Sequence, residues 1–366
     1  MEKTRLKAIA VNLKRFRAEL SWTQARLASE SGVSPSSVKT LENETASNPR
    51  PRTLGALADA LGRSMGELLT EPQRLERVRF RAKSSLKTFL RFNVVDSCAR
   101  WLADYCFVED LLGVPTEFKS PLRFKSGSDV REYAEKVRAE LGVPADSPVS
   151  DVASVLAKSD LKLWFCPTRT NKDVFGLSIN ESPQSTAIVV FLEGVSTERA
   201  IFTSAHEFGH LLLHSRSFKT DISAEDKEEE RQADEFASFF LMPRDLFLTR
   251  WNETVGKSFV ERTLMVKRYF RVSYRTVLRR LIDEKIFDNN VYVRFPVEYK
   301  QITGKDLREH KEPRPLTPSD VPVDRFARLV YEAALKGEIT VSRAAEMLRL
   351  PVLRVYNTIN QTGELR

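Results

Sequence analysis

Four histidines occur in the 366 residues, and three of them, His206, His210 and His214, fall within nine positions. The surrounding stretch, Phe202-Thr203-Ser204-Ala205-His206-Glu207-Phe208-Gly209-His210-Leu211-Leu212-Leu213-His214, reads as helix. Four residues are about one helical turn, so the imidazoles of His206 and His210 project from one face and can hold one metal ion, with Glu207 beside it as a general base. From this composition H-E-x-x-H arises by chance in roughly a few of a thousand such chains, which makes chance a poor explanation. Two polar rings buried on an apolar helix without partners would be costly, so a purely structural pair is also a poor one. His214 lies about 12 Å of axial rise from His206, beyond the reach of one ion, and takes a supporting or packing role.

Catalytic zinc takes three protein ligands and keeps a fourth position open. The stretch Glu228 to Pro243 supplies the third, because it reads as a helix whose Ala233, Phe236, Ala237 and Phe240 face the core. Glu230 then points inward as a ligand, and Asp234, one turn on, can accept the N–H of a ligand histidine and fix its tautomer. Glu228 and Glu229 continue an acidic run from Asp221 and are assigned to solvent, either one replacing Glu230 if the register is shifted. The implied chemistry is peptide hydrolysis at one zinc ion per chain, with Glu207 moving a proton from the attacking water to the leaving amine. Stabilising the oxyanion falls to Tyr269, Tyr274 or an arginine of that segment, and the sequence does not choose among them.

The elements that must position these groups follow the order helix, helix, strand, strand, strand, helix. Asp129 to Leu141 and Val149 to Ala157 are helical; Leu161 to Phe165, Val174 to Asn180 and Ala187 to Leu192 are strands; and Ser196 caps the histidine helix, Thr197 to His214. Of the last two strands, whichever lies at the sheet edge is the expected acceptor of an extended substrate.

The net charge of +8 is unevenly spread, since residues 1–92 hold 18 Lys and Arg against nine Asp and Glu and the remaining 274 carry −1. That basicity accompanies five short amphipathic helices in residues 5–70. Leu6, Ile9, Leu13 and Phe16 make one apolar stripe; Thr23 caps a helix from Gln24 to Ser31; Gly32 turns the chain; and Ser34-Pro35 opens a third helix. The basic residues from Arg74 to Arg91 are read as continuing onto one long helix ending near Leu112, either a phosphate-facing surface or the wet side of a connector.

Two resemblances follow from these residues. Thr23 to Ser34, with Val38, Leu41-Glu42-Asn43 and Leu54 to Gly62, resembles the phage-repressor (Cro/C1, XRE) type of DNA-binding domain. It implies that the third helix enters the major groove of a double-stranded operator with Ser36, Ser37, Lys39 and Thr40 outward, and that Gln24 sits near phosphate. The alternative is a dimerisation or docking module. The pairing of Phe-Thr-x-Ala-His-Glu-x-Gly-His with Glu-x-x-Ala-Asp-x-Phe-Ala-x-x-Phe-Leu-Met-Pro, over roughly residues 129–285, resembles the ImmA/IrrE metallopeptidases. That resemblance implies a gluzincin-type zinc endopeptidase that inactivates a repressor by limited proteolysis in a stress or mobile-element response. His206, His210 and Glu230 would be its zinc ligands and Glu207 its base.

The expected architecture is α+β and mostly helical: a five-helix head (1–72), a helical connector and linker (73–127), a zincin-like metallopeptidase domain with a small sheet (128–295), and a Pro-rich linker with a C-terminal helical domain (296–366). Seven basic and no acidic residues in 262–280 suggest either a basic outer face or a site for a nucleic-acid activator. Thr340 to Pro351 resembles another helix-turn-helix, more in keeping with a cap on a neighbouring domain, and His310 reads as exposed. Cys98, Cys106 and Cys166 lack metal or disulfide spacing and read as core thiols. Without an apolar run long enough for a membrane span or an export signal, the chain is expected in the cytoplasm, with no membrane partner. The expected function is a DNA-binding regulator that cleaves a repressor-type protein, in trans or itself in the linker at 114–128. The alternative is a transcriptional repressor whose peptidase-like domain binds a signal or partner without cleaving. A homodimer is left open.

Overall fold

The computed structural model describes residues 2–20, 22–46, 49–69, 75–82, 88–125, 127–167, 174–218, 226–307, 312–317 and 325–363. Among them are seventeen helices and one four-stranded sheet. The chain divides into two compact units, Met1–Arg74 with Lys87–Arg100, and Leu75–Leu86 with Trp101–Arg366.

The first unit contains α1 (Glu2–Glu19), α2 (Gln24–Ser31), α3 (Pro35–Glu42), α4 (Pro51–Ala60) and α5 (Met65–Leu69). Its local signals are strong. The Thr23 hydroxyl accepts from the Arg26 amide, the Ser34 hydroxyl accepts from the Ser37 amide, and Gly32 takes the left-handed conformation that ends α2. Ile9, Leu13, Phe16, Leu27, Val38, Leu41, Leu54, Leu57 and Leu68 form its core. Buried Glu42 accepts from Arg17 at 2.6 and 2.9 Å and from Gln24 at 2.7 Å, tying α1, α2 and α3 together. Helix α6 (Thr88–Leu111) gives its first half to this unit, where buried Asp96 pairs with Arg15 and Arg100.

In the second unit, α7 (Val130–Glu140) and α8 (Val152–Ala157) precede β2 (Lys162–Cys166), β3 (Val174–Asn180) and β4 (Thr186–Phe191). The sheet has a further strand, β1 (Val78–Ala82), inside the stretch expected to be helical, and its order is β1-β3-β4-β2. The cause is a two-residue alternation: Val78 and Phe80 are buried while Arg79 and Arg81 point to the other face. Strands β1 and β4 both run antiparallel to β3, and β2 is parallel to β4. Neither strand expected to receive a substrate is therefore at an edge; β1 and β2 are.

Helix α9 (Thr197–Leu213) packs against β3, β4 and α10 (Lys227–Leu241). Two glycines set this closeness. A Cβ on Gly176 of β3 would lie 2.7 Å from Thr203 Cγ2 and 3.0 Å from the Val189 carbonyl oxygen, and one on Gly209 of α9 would lie 2.9 Å from Phe236 Cδ1.

The unit continues through α11 (Arg244–Glu253), α12 (Phe259–Phe270), α13 (Tyr274–Asp283) and α14 (Val291–Thr303), then α15 (Arg325–Leu335), α16 (Val341–Leu348) and α17 (Val352–Gly363). Helix α14 runs through Pro296, where a loop was expected to begin, because Phe295 and Tyr299 are held in the core beside Phe259 and Tyr274. In the basic segment 262–280, Arg280 is fully buried, donating to Ser238 and lying over the Phe239 ring, so it faces no polyanion. The C-terminal helices anchor on the same unit through Phe326 on Tyr105 and Arg343 on Asp104. No helix among the described residues is long and apolar enough to cross a membrane. His310 and Asp221 lie outside the described residues.

Candidate metal centre

Ser196 caps α9 by accepting from the Arg199 amide, and Asp226 caps α10 by accepting from the amides of Glu228 and Glu229. These caps and the Gly209–Phe236 contact fix the two helices that carry the site. His206 Nε2 and His210 Nε2 lie 3.0 Å apart. Glu230 brings Oε2 to 3.3 Å from the first and Oε1 to 3.0 Å from the second.

Three lone-pair donors converging in this way favour a cation between them. A tetrahedral zinc with bonds of about 2.0–2.1 Å has ligand–ligand edges of roughly 3.3–3.4 Å, close to those observed. The tautomers agree. His206 Nδ1 lies 2.7 Å from Asp234 Oδ1 and donates to it, which leaves Nε2 as the free base. His210 Nδ1 meets His214 Nδ1 at 3.0 Å, and His214 Nε2 meets Gln232 Oε1 at 2.9 Å. The amide oxygen can only accept, so His214 carries its proton on Nε2 and its Nδ1 accepts from His210. His210 therefore also presents a bare Nε2 to the site. His214 thus orients the His210 ring.

Burial opposes ionisation of Glu230, but the facing rings of His206 and His210 hold its carboxyl well below the usual carboxylate range. His210 is pushed down from the ordinary imidazole value, chiefly by burial, which keeps it neutral and able to bind a metal. Glu207 is wholly buried, and that burial raises its carboxyl above the usual range. Its Oε2 accepts from Ser178 of β3 at 2.8 Å, while Oε1 is buried with no hydrogen-bond partner.

Glu228 is on the surface with Arg231, as expected, but Glu229 is turned inward, where it accepts from Ser217 at 2.6 Å and from Arg79. Arg79 also donates to Glu230 at 3.1 Å, and Arg81 donates to Asp234 at 3.3 Å. The register explains this reach, since Arg79 pairs with Ser178 and Arg81 with Gly176, and residues opposite one another in an antiparallel pair project from the same face. The signal for both was the Val-Arg-Phe-Arg alternation, hidden in what reads as a basic helix.

Residues 169–282 match the IrrE N-terminal-like domain of peptidase family M78, and residues 13–68 match a helix-turn-helix domain. The chain joins an XRE-type helix-turn-helix domain to an IrrE/ImmA-like peptidase-family domain. No curated protein matches it closely. In the helix-turn-helix domain Ser36, Lys39 and Thr40 are exposed on α3 and Ser37 is half-buried with its hydroxyl 2.8 Å from that of Ser34, whereas Gln24 is engaged by Glu42. Beside the candidate metal centre, a cleft of about 690 Å³ is lined by Phe202, Glu230, Asp234, Phe239, Arg275 and Arg279, among others. Of the aromatic candidates for the oxyanion, Tyr274 is buried against Phe295 and takes a hydrogen bond from Arg275, and Tyr269 takes one from Arg250.

Proposed function

We propose that the chain is a DNA-binding regulator whose second unit is a zinc-dependent endopeptidase acting on a repressor-type protein, either in trans or within its own linker. The observation that carries this reading is the convergence of His206, His210 and Glu230 on one point, within reach of their supporting groups and next to a buried Glu207. These three residues would hold one zinc ion per chain. Bound there, zinc would supply the acidity that makes water a nucleophile near neutral pH and would polarise the scissile carbonyl.

The chain's own residues do the rest. Asp234 and His214 fix the ligand tautomers, and Ser178 orients the base. Glu207 takes one proton from the attacking water as its oxygen adds to the carbonyl carbon, then delivers that proton to the amine as the C–N bond breaks. The head would contact an operator in the cytoplasm through Ser36, Ser37, Lys39 and Thr40 on α3, with Gln24 near phosphate. The same reading assigns 1–72 to the head, 73–127 to a connector that lends β1 to the peptidase sheet, 128–295 to the peptidase domain, and 296–366 to a linker and C-terminal helical domain, with α14 crossing that last boundary.

The test is to incubate zinc-loaded wild type and Glu207→Gln with repressor-type chains and to search by mass spectrometry for new termini, including termini in residues 114–128. Fragments from wild type alone support the proposal. Identical patterns from the two proteins contradict cleavage and favour a domain that binds a partner without cutting it.

A further inference from the structure

Arg81 is the feature of the site that the mechanism leaves unused. It enters from β1, the edge strand that directly follows the DNA-binding head in the chain. Its Nη2 donates to Asp234, its guanidinium lies 5.4 Å from the centroid of the Phe202 ring in the cleft wall, and its Nη1 is buried with no hydrogen-bond partner. A buried donor without an acceptor and a buried acceptor, Glu207 Oε1, without a donor are each costly. A hydrolytic site needs both: a base for the water and a donor for the oxygen that becomes negative.

Of the nearby arginines, Arg79 places both terminal nitrogens on Glu229 and Glu230, and Arg279 pairs with Asp283 at 3.0 Å.

We infer that Arg81 is the electrophilic residue of the peptidase, donating from Nη1 to the substrate carbonyl oxygen as that oxygen takes up negative charge. The inference rests on the proposed peptidase function. Arg81 transfers no proton: water supplies a hydroxyl to the acyl carbon, Glu207 carries the proton to the departing amine, and the hydrogen bond from Arg81 strengthens while the carbonyl carbon is tetrahedral. Preorganised donors of this kind are among the largest contributors to acyl-transfer catalysis. The edge position of β1 suits the role, because a substrate strand added to its free side would bring its carbonyls beside this guanidinium.

The experiment uses full-length, zinc-loaded protein and inorganic phosphate as a tetrahedral oxyanion probe, comparing wild type, Arg81→Ala, Arg81→Lys and, as a cation outside the cleft, Lys300→Ala by calorimetry, with zinc content and thermal midpoint measured for each. Arg81→Ala should weaken phosphate binding by roughly 10- to 100-fold, the size of one charged hydrogen bond, with zinc retained. Arg81→Lys should lie between, and Lys300→Ala should match wild type. On any fragment-yielding substrate, Arg81→Ala should lower kcat by about 100-fold with little change in KM. Unchanged phosphate affinity in zinc-replete Arg81→Ala overturns the inference. So does loss of zinc from both Arg81 variants, which would make Arg81 a clamp on Asp234. A wild type that takes up no zinc refutes the peptidase reading itself.

Discussion

Gly209 offers a sharp test of how the site is held, because the residue lies between the two histidines proposed to hold the metal and carries no chemistry. In an ordinary helix Gly→Ala gains about 1 kcal/mol of propensity. Here the added Cβ would sit 2.9 Å from Phe236 Cδ1, 3.3 Å from Cγ and 3.4 Å from Cβ. Phe236 cannot swing aside, since it is fully buried, stacked on Phe240 at 5.6 Å and edge-on to Phe208 at 6.1 Å. Forcing a methyl into such packing costs about 1–3 kcal/mol, so Gly209→Ala should be neutral to about 2 kcal/mol destabilising, with a midpoint lower by up to several degrees. The geometric effect should be larger than the thermal one. Relieving the clash moves α10 away from α9, and α10 carries Glu230 while α9 carries both histidines. We predict that zinc affinity, measured by competition with a chromogenic chelator, falls by about 10- to 100-fold, the range seen when groups supporting metal ligands are changed. A variant that melts higher than wild type and keeps its zinc would refute the claim that this contact sets the ligand spacing.

Three further outcomes are expected. His214→Ala removes the acceptor that orients His210, and should weaken zinc binding by about 10- to 100-fold in the same competition assay with little change in fold by circular dichroism. Lys267 is buried between Glu198 and Glu312 at 2.9 Å from each, so Lys267→Met should cost about 3–5 kcal/mol in denaturant melts at neutral pH. Burial already raises the Glu312 carboxyl, so protonation at pH 5 favours the folded state and the loss should be smaller there than at pH 8; an equal or greater loss at pH 5 would count against the account. Lys39→Ala should weaken binding to duplex DNA of any sequence and reduce the salt slope of the affinity by about one, whereas a change confined to one sequence would assign Lys39 to a base.

What the sequence made legible was local. Caps at Thr23, Ser34 and Ser196, the four-residue spacing of His206 and His210, and the helical register that turns Glu230 inward are all written within a turn or two of the residues concerned. What it hid was long-range. Arg79 and Arg81 reach the site only because β1 pairs with a strand about a hundred residues later, and nothing near Arg79 announces that partner. Pro296 was a misleading signal because tertiary packing of Phe295 and Tyr299 outweighs one missing backbone hydrogen bond. Arg280 counted as one more surface charge until its burial over Phe239 put it in the core.

The measurement that tests the central claim most directly is the zinc content of purified full-length protein, wild type beside His210→Ala and Glu230→Ala, by plasma mass spectrometry. The convergence of His206, His210 and Glu230 predicts about one zinc per wild-type chain and a large loss in both variants. A wild type that binds no zinc even when the metal is supplied, or variants that bind it as well as wild type, would contradict it.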